Sequence, residues 1–410
     1  MQYGLLGEKL GHSFSKEIHE SISDYKYELK EVAKADFDKF MTDRDFNAIN
    51  VTIPYKEKVI PYLDYIDDAA KAIGAVNTIV NKNGKLFGYN TDFLGLRDLV
   101  LTNDINVKDK KVLILGDGGT AKTSNAVFKF LGAKQIQFVS LYPNDASCSY
   151  EDAIKLHNDA NIIVNATPCG MFPNNDDLII DITYFKELEA VIDVIYNPLK
   201  TALLRNAEKH NIKAVGGLYM LVGQAVYASS IFIDKNYNQS VITNTYNKIY
   251  NDKKNIVLIG MPSCGKSTIG QEISRILNKE YVDTDLLIEK KLGMPISDFL
   301  NKDTEEEFRQ IETSIINDIS KKNNLVISTG GGIIKKEENI FYLKANGTII
   351  FIDRPLELLE ATSSRPLSSN KKDLENLYNV RYPLYKKYAD IIVKNDIQLN
   401  DVIEKILKEI

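Results

Sequence analysis

Short apolar runs separated by longer amphipathic stretches recur along the whole chain, as when strands alternate with helices. Residues 2–6 and 48–53 read as strands, the second β-branched and closed by Pro54. Residues 75–81 and 85–89 flank Asn83-Gly84, which predicts a hairpin. Residues 15–23, 34–44 and 91–101 read as helices, with Asp36 placed to cap the second. A stronger apolar run at 110–115 opens a new series, with strands at 135–139, 161–165, 190–194 and 213–216. Helical spacing lies between them, as at 122–131, where Gly132 stops the helix. This series predicts a doubly wound parallel sheet. Helix returns at 219–232 and near 241–250, and the polar break Asn251-Asp-Lys-Lys-Asn255 follows. A third series begins at Ile256, with its clearest strands at 324–328 and 348–352. The fold class is α/β throughout, and the change of series at 251–254 marks a domain boundary.

Two glycine loops join a strand to a helix. In the later one, Gly260-x-x-Ser263-Cys264-Gly265-Lys266-Ser267-Thr268 spells the P-loop. Its glycines let the backbone curl until several N–H groups point inward, and the following helix adds its positive end. Lys266 supplies a point charge for the outer phosphates, and the Ser267 hydroxyl reaches Mg²⁺. Cys264 is expected on the outer side of the loop, with mild inactivation by thiol reagents as the test. The earlier loop, Gly116-x-Gly118-Gly119-Thr120-Ala121, fits a dinucleotide loop whose last position tolerates Ala. The second strand of that unit ends in Val139-Ser140-Leu141-Tyr142. It carries neither the acid an NAD ribose would take nor the Arg a 2′-phosphate would take.

Composition narrows the partners. With 410 residues and a formal net charge of −5, the chain has no basic surplus to carry nucleic acid or an anionic membrane. No apolar run approaches a membrane span. Three cysteines without C-x-x-C spacing favour a reducing, cytoplasmic setting over a disulfide framework or structural zinc. His19, His157 and His210 have no partner pattern and read as structural.

Polar fragments cluster at predicted strand ends, where open α/β sheets bind ligands. They are Ser13-Phe-Ser15 after His12, Asn50-Val-Thr52-Ile-Pro-Tyr-Lys56, Gly74-Ala-Val-Asn77-Thr78, Asn90-Thr91-Asp92, Asn165-Ala-Thr167-Pro and Gly217-Leu-Tyr-Met220-Leu-Val-Gly-Gln224. Together they resemble shikimate dehydrogenase over residues 1 to about 250. The resemblance implies reduction of 3-dehydroshikimate, usually with NADPH. It assigns Ser13, Ser15, Thr52, Asn77 and Gln224 to the substrate's hydroxyls and carboxylate, Lys56 and Asp92 to catalysis, and Tyr196 to a place beside them. It gives the dinucleotide to Gly116, Gly118, Gly119, Thr120, Ala121, Thr167, Gly217 and Met220. It also implies a substrate domain over 1–104 completed by 217–250, and a Rossmann-like domain over 105–216. Leu141 stands where the family commonly has an Arg, so NADH stays open beside NADPH, as does an NAD-preferring quinate/shikimate dehydrogenase.

Beyond the P-loop come Asp283-Thr-Asp285, Phe308-Arg309-Gln-Ile-Glu312, Gly330-Gly331-Gly332, Ser364-Arg365-Pro366-Leu and Arg381-Tyr-Pro-Leu-Tyr385. Two carboxylates two apart can serve a metal and a hydroxyl, and guanidinium forks match carboxylates and phosphates. These motifs resemble shikimate kinase over 255–410. The resemblance implies γ-phosphoryl transfer from ATP to the 3-hydroxyl of shikimate. Asp285, Arg309, Gly331, Gly332 and Arg381 would bind shikimate, with Asp285 and Lys266 catalytic. Gly260, Ser263, Cys264, Gly265, Lys266, Ser267 and Thr268 would hold the nucleotide, Ser267 and Asp283 the metal, and Arg365 a lid. Leu358-Leu-Glu-Ala lacks an Arg that many members set against adenine. The expected partners are small molecules, with the oligomeric state open. A binding scaffold that has lost catalysis in one half is the rival from another class, and the intact lysine–carboxylate sets speak against it.

Overall fold

The computed structural model describes residues 1–11, 13–301, 305–360 and 371–410. It divides into two compact units, Met1–Tyr250 and Asn251–Ile410.

The first unit holds two sheets. One contains β1 (Tyr3–Gly7), β2 (Tyr27–Glu31), β3 (Ala48–Val51), β4 (Tyr65–Ile66), β5 (Thr78–Lys82) and β6 (Lys85–Tyr89), in the order β2-β1-β3-β5-β6-β4. β1 runs parallel to β2 and β3, whereas β5 is antiparallel to both β3 and β6. Asn83 and Gly84, with φ of 53° and 83°, make the hairpin turn that the two strands require. Edge strand β2 was hidden in the sequence. Only Tyr27 of its five residues is buried, and Glu-Leu-Lys-Glu reads as polar surface. The helix expected from residue 34 begins at Phe37 instead, and the Asp36 side chain makes no capping bond.

The second sheet comprises β7 (Lys111–Leu115), β8 (Gln135–Val139), β9 (Ser147–Cys148), β10 (Ile162–Asn165), β11 (Ala190–Asp193) and β12 (Lys213–Gly216). All neighbours are parallel, in the order β12-β11-β10-β7-β8-β9. β10 and β11 are buried at every position, which explains the apolar runs Ile162-Ile-Val164 and Ala190-Val-Ile192, and each strand ends on a buried polar residue, Asn165 and Asp193. Two helices cross tightly to set the site. A Cβ on Gly95 of helix Asp92–Thr102 would lie 2.6 Å from Met220 O and 2.9 Å from Gln224 N. Only glycine lets helix Leu218–Ile233 approach that closely.

The second unit has one parallel sheet of β13 (Asn255–Ile259), β14 (Glu280–Asp283), β15 (Leu325–Ser328), β16 (Gly347–Asp353) and β17 (Ile391–Lys394). The order β14-β15-β13-β16-β17 puts the P-loop strand in the middle, buried along its whole length. The polar stretch at 251–255 is not loop. Helix Gln239–Lys253 extends into it and β13 starts at Asn255.

Candidate active sites

In the first unit a cavity of about 660 Å³ gathers Ser13, Ser15, Thr52, Lys56, Asn77, Asp92, Thr120, Thr167, Tyr196, Gly217, Met220 and Gln224. At its centre Lys56 Nζ donates to Asp92 Oδ2 at 2.6 Å and to Thr120 Oγ1 at 3.3 Å. Asp92 opens its helix and is 8% exposed, so water screens the pair weakly. Thr120 thus stands beside the lysine as well as in the dinucleotide loop. A Cβ on Gly119 would meet Lys56 Cβ at 3.4 Å, an ordinary contact distance, so the loop packs directly against the lysine stem.

Neutral polar groups hold the rest of the wall. Asn77 Oδ1 accepts from Thr91 N at 2.7 Å, and Asn77 Nδ2 donates to Thr91 Oγ1 at 3.1 Å and Gln224 Oε1 at 3.4 Å. Asn50 donates to Asn77 O at 3.2 Å and accepts from the Tyr27 hydroxyl at 2.8 Å. Tyr27 stacks on His19, ring centres 4.0 Å apart. Burial drives the His19 imidazole down to about 3, so it stays neutral. The sequence read His19 as structural, and it braces the site through this chain of contacts. Ser13 Oγ donates to Ser15 Oγ at 3.0 Å. Burial raises the Tyr196 phenol, a hydrogen bond with Ser13 opposes this, and its ring lies 5.2 Å from Phe14.

A buried carboxylate that no motif singled out ties two strand-end loops of the cavity together. Asp193 accepts from Thr201 Oγ1 at 2.7 Å, Ile195 N at 3.0 Å and Asn165 Nδ2 at 3.1 Å. Asn165 in turn accepts from Thr167 Oγ1 at 2.7 Å. Burial pushes Asp193 up to about 6 against these bonds. The dinucleotide loop itself has the shape its glycines imply. Gly116 takes φ of 106°, space is open around Gly118, and Ala121 is fully buried beneath. A Cβ on Gly217 would strike Val194 O at 2.0 Å.

In the second unit the P-loop curls through Gly260, Ser263 and Gly265 at φ of 149°, 63° and 94°. Lys266 Nζ bridges the curl, donating to Gly260 O at 3.0 Å and Met261 O at 2.9 Å. Asn395, from just after β17, donates to Cys264 O at 2.8 Å and braces the loop from behind. Cys264 corrects the expectation for its side chain. It is fully buried in the core rather than on the outer side, because the curl turns its Cβ inward. Thr268 is exposed on the first turn of the helix.

Ser267 Oγ donates to Asp283 Oδ2 at 3.3 Å, and Asp283 Oδ1 caps the next helix by accepting from Asp285 N at 3.0 Å. These hard oxygens fit Mg²⁺, which takes a few protein oxygens together with phosphates and water. The glycine triplet then gathers three charges. A Cβ on Gly330 would lie 2.4 Å from Asp285 Oδ1, one on Gly331 3.3 Å from Arg381 Nη1, and one on Gly332 2.3 Å from Arg309 Nη2. Arg309 is clamped by Glu312 at 2.7 Å, and Glu312 is raised by burial against the pull of Arg309. Arg381 donates to Gly331 O at 2.8 Å. Glu312 and Gly330 stood in the sequence only as members of their motifs, with no role of their own. Arg365 and His12 lie outside the described residues, as does the end of the Leu358-Leu-Glu-Ala stretch. Among the described residues no helix is long and apolar enough to cross a membrane.

The comparisons with known proteins divide along the same line. The shikimate dehydrogenase substrate binding domain matches residues 5–79 and shikimate kinase matches residues 262–410. The shikimate dehydrogenase (NADP(+)) of Clostridium beijerinckii is 38% identical over 272 residues, covering 62% of this chain and 99% of the relative. The shikimate kinase of Clostridium botulinum is 45% identical over 160 residues, covering 38% of this chain and 96% of the relative. Among solved structures, shikimate dehydrogenase 1 from Peptoclostridium difficile superposes with a TM-score of 0.57 at 35% identity, covering 61% of this chain and 98% of the other. The Thermus thermophilus shikimate 5-dehydrogenase in complex with NADP(H) and shikimate gives 0.54 at 27% identity, covering 60% and 99%. The chain therefore belongs to the shikimate dehydrogenase family over its first unit and to the shikimate kinase family over its second.

Proposed function

We propose that the first unit reduces 3-dehydroshikimate to shikimate with NADPH, and that the second phosphorylates the 3-hydroxyl of shikimate with ATP and Mg²⁺. The observation that carries the first half is Lys56 Nζ held at 2.6 Å from Asp92 inside the cavity. NADPH, when bound, supplies the hydride. Lys56 donates a proton to the oxygen that develops charge, and Asp92 keeps the ammonium aimed there. Ser13, Ser15, Thr52, Asn77 and Gln224 orient the ring's carboxylate and hydroxyls, with Tyr196 closing one side. Residues 1–104 and 217–250 serve as the substrate domain. Residues 105–216 serve as the dinucleotide domain, where Gly116, Gly118, Gly119, Thr120, Ala121 and Thr167 line the approach with Gly217 and Met220.

The convergence of Asp285, Arg309 and Arg381 on the glycine triplet supports the second half. The two guanidinium groups hold the substrate carboxylate. Asp285 accepts the proton of the attacking hydroxyl, and the loop from Gly260 to Thr268 holds the phosphates. Ser267 and Asp283 would hold Mg²⁺, which neutralises phosphate charge when bound. Arg365 serves as the lid charge. The reactions use only small molecules, and three cysteines that form no disulfide suit the cytoplasm. A one-pot assay of full-length protein with 3-dehydroshikimate, NADPH and ATP tests the reading. Oxidised cofactor and ADP should both form, and ADP should depend on the reduction step. If neither cosubstrate is consumed, the proposal fails.

A further inference from the structure

At the carboxyl end of β8 a carboxylate joins the dinucleotide loop to the strand. Asp117 lies between Gly116 and Gly118 and is exposed, and its Oδ2 accepts a 2.9 Å hydrogen bond from Ser140 Oγ. Ser140 Oγ also accepts from Tyr142 N at 3.2 Å, which fixes the start of the turn. In doubly wound dinucleotide sites the adenosine ribose lies at this strand end. A carboxylate there takes the 2′-hydroxyl, and a guanidinium takes a 2′-phosphate. The turn Ser140-Leu-Tyr-Pro-Asn-Asp-Ala-Ser-Cys148 holds no lysine or arginine and adds a second carboxylate, Asp145. Leu141 and Tyr142 are mostly exposed, so they offer a ring-sized apolar surface without charge. The acid missing from the end of β8 is thus supplied from the neighbouring loop.

We infer that Asp117 is a specificity-determining residue of the dehydrogenase unit: it receives the ribose 2′-hydroxyl and repels a 2′-phosphate, so the unit uses NADH as well as NADPH. A hydroxyl can donate to this carboxylate. A 2′-phosphate brings nearly two further negative charges and finds no guanidinium fork on the turn. The inference rests on the dehydrogenase reading, and the test separates the two. With full-length protein and 3-dehydroshikimate, kcat/KM is measured for NADH and NADPH in the parent, Asp117→Ala and Asp117→Asn. Both substitutions remove the charge, and the NADPH/NADH ratio should rise about tenfold, mostly through KM for NADPH. Ser140→Arg should raise the ratio further. The ATP-dependent activity on shikimate should stay unchanged in each, and thermal unfolding of the full-length variants serves as the control for folding. A ratio that moves by less than about threefold in both Asp117 variants overturns the inference. A parent that oxidises neither cofactor overturns the dehydrogenase reading instead.

Discussion

The two units solve the same recognition problem, a polyhydroxylated ring acid, by opposite means. In the first, side chains satisfy one another. Asn77, Thr91, Gln224, Asn50 and Tyr27 form a chain of neutral hydrogen bonds, and a single ion pair stands among them. In the second, charged side chains lie directly on bare backbone, and the geometry comes from what Gly330, Gly331 and Gly332 leave out. Reducing a ketone needs one well-aimed proton donor, so a mostly neutral, enclosed wall suffices. Moving a phosphoryl group needs charge balanced on several oxygens, so cations must crowd together, and glycine makes the room.

The sharpest way to break this comparison is to remove each lysine. Lys56→Ala should cut dehydrogenase turnover by about 10²–10⁴-fold and leave the kinase untouched. Lys266→Ala should cut kinase turnover by about 10³-fold and leave the dehydrogenase untouched. Paired steady-state assays on the same preparations check both, and a loss that crosses between activities would show that the two sites are not independent.

Next come the glycines. Gly332→Ala would place a methyl 2.3 Å from Arg309 Nη2, on a guanidinium that Glu312 and Glu305 hold in place. Displacement of about 1 Å should cost about 100-fold in kinase kcat/KM for shikimate. Gly118→Ala is the contrast, since nothing lies within 4 Å of its added Cβ. Thermal stability should hold within about 0.5 kcal/mol. KM for the dinucleotide should rise about tenfold, because only a bound pyrophosphate needs that space.

Most of this was legible in the sequence, for a physical reason. Strands buried on both faces, such as β10, β11 and β13, must be apolar along most of their length, with a polar residue only at one end, Asn165, Asp193 and Asn255, and loops that wrap phosphates must be glycine-rich. Edge strand β2 was not legible, because its solvent side removes the apolar signal. Asp193 and Asn395 were not legible either, and Glu312 was legible only as a member of the Phe308-Arg309-Gln-Ile-Glu312 motif, without its bracing role. Each acts by bracing another site group, and its partner lies in a different part of the sequence or is recognisable only once the fold brings the two together. The inward turn of Cys264 depends on the φ values of the loop, which spacing alone does not give.

Asp193 sharpens the first half of the comparison at smaller cost. Its carboxyl is raised by burial from 3.8 to about 6, so folding takes up a proton between those values. The stabilisation from the protonated form is complete below 3.8 and lost as pH rises through about 6. Asp193→Asn cannot titrate and weakens the bonds to Thr201 and Asn165, at a cost of about 1–3 kcal/mol. Thermal inactivation of the dehydrogenase, followed from about pH 4 to pH 7, should show the parent's advantage over the variant narrowing as pH rises. A gap that widens would mean the carboxylate, not the acid, is the form the fold prefers.

The smallest effect is expected at Cys264. A thiol in a P-loop invites the idea of a reactive nucleophile, since a helix N-terminus lies beside it. Burial decides against it. The side chain is fully enclosed in the core of the second unit, where Lys266 Nζ lies 3.7 Å from Sγ. An alkylating reagent cannot reach the sulfur unless the loop opens, and the bond from Asn395 to Cys264 O resists that opening. Iodoacetamide should therefore leave the kinase rate unchanged over the time in which Cys148 and Cys169, both partly exposed, are modified. Intact-mass spectrometry run alongside the assay would read the order of labelling. If Cys264 were labelled first, with loss of kinase activity, the loop would be opening far more readily than its bracing implies. That would undercut the view that the second site depends on a rigid backbone.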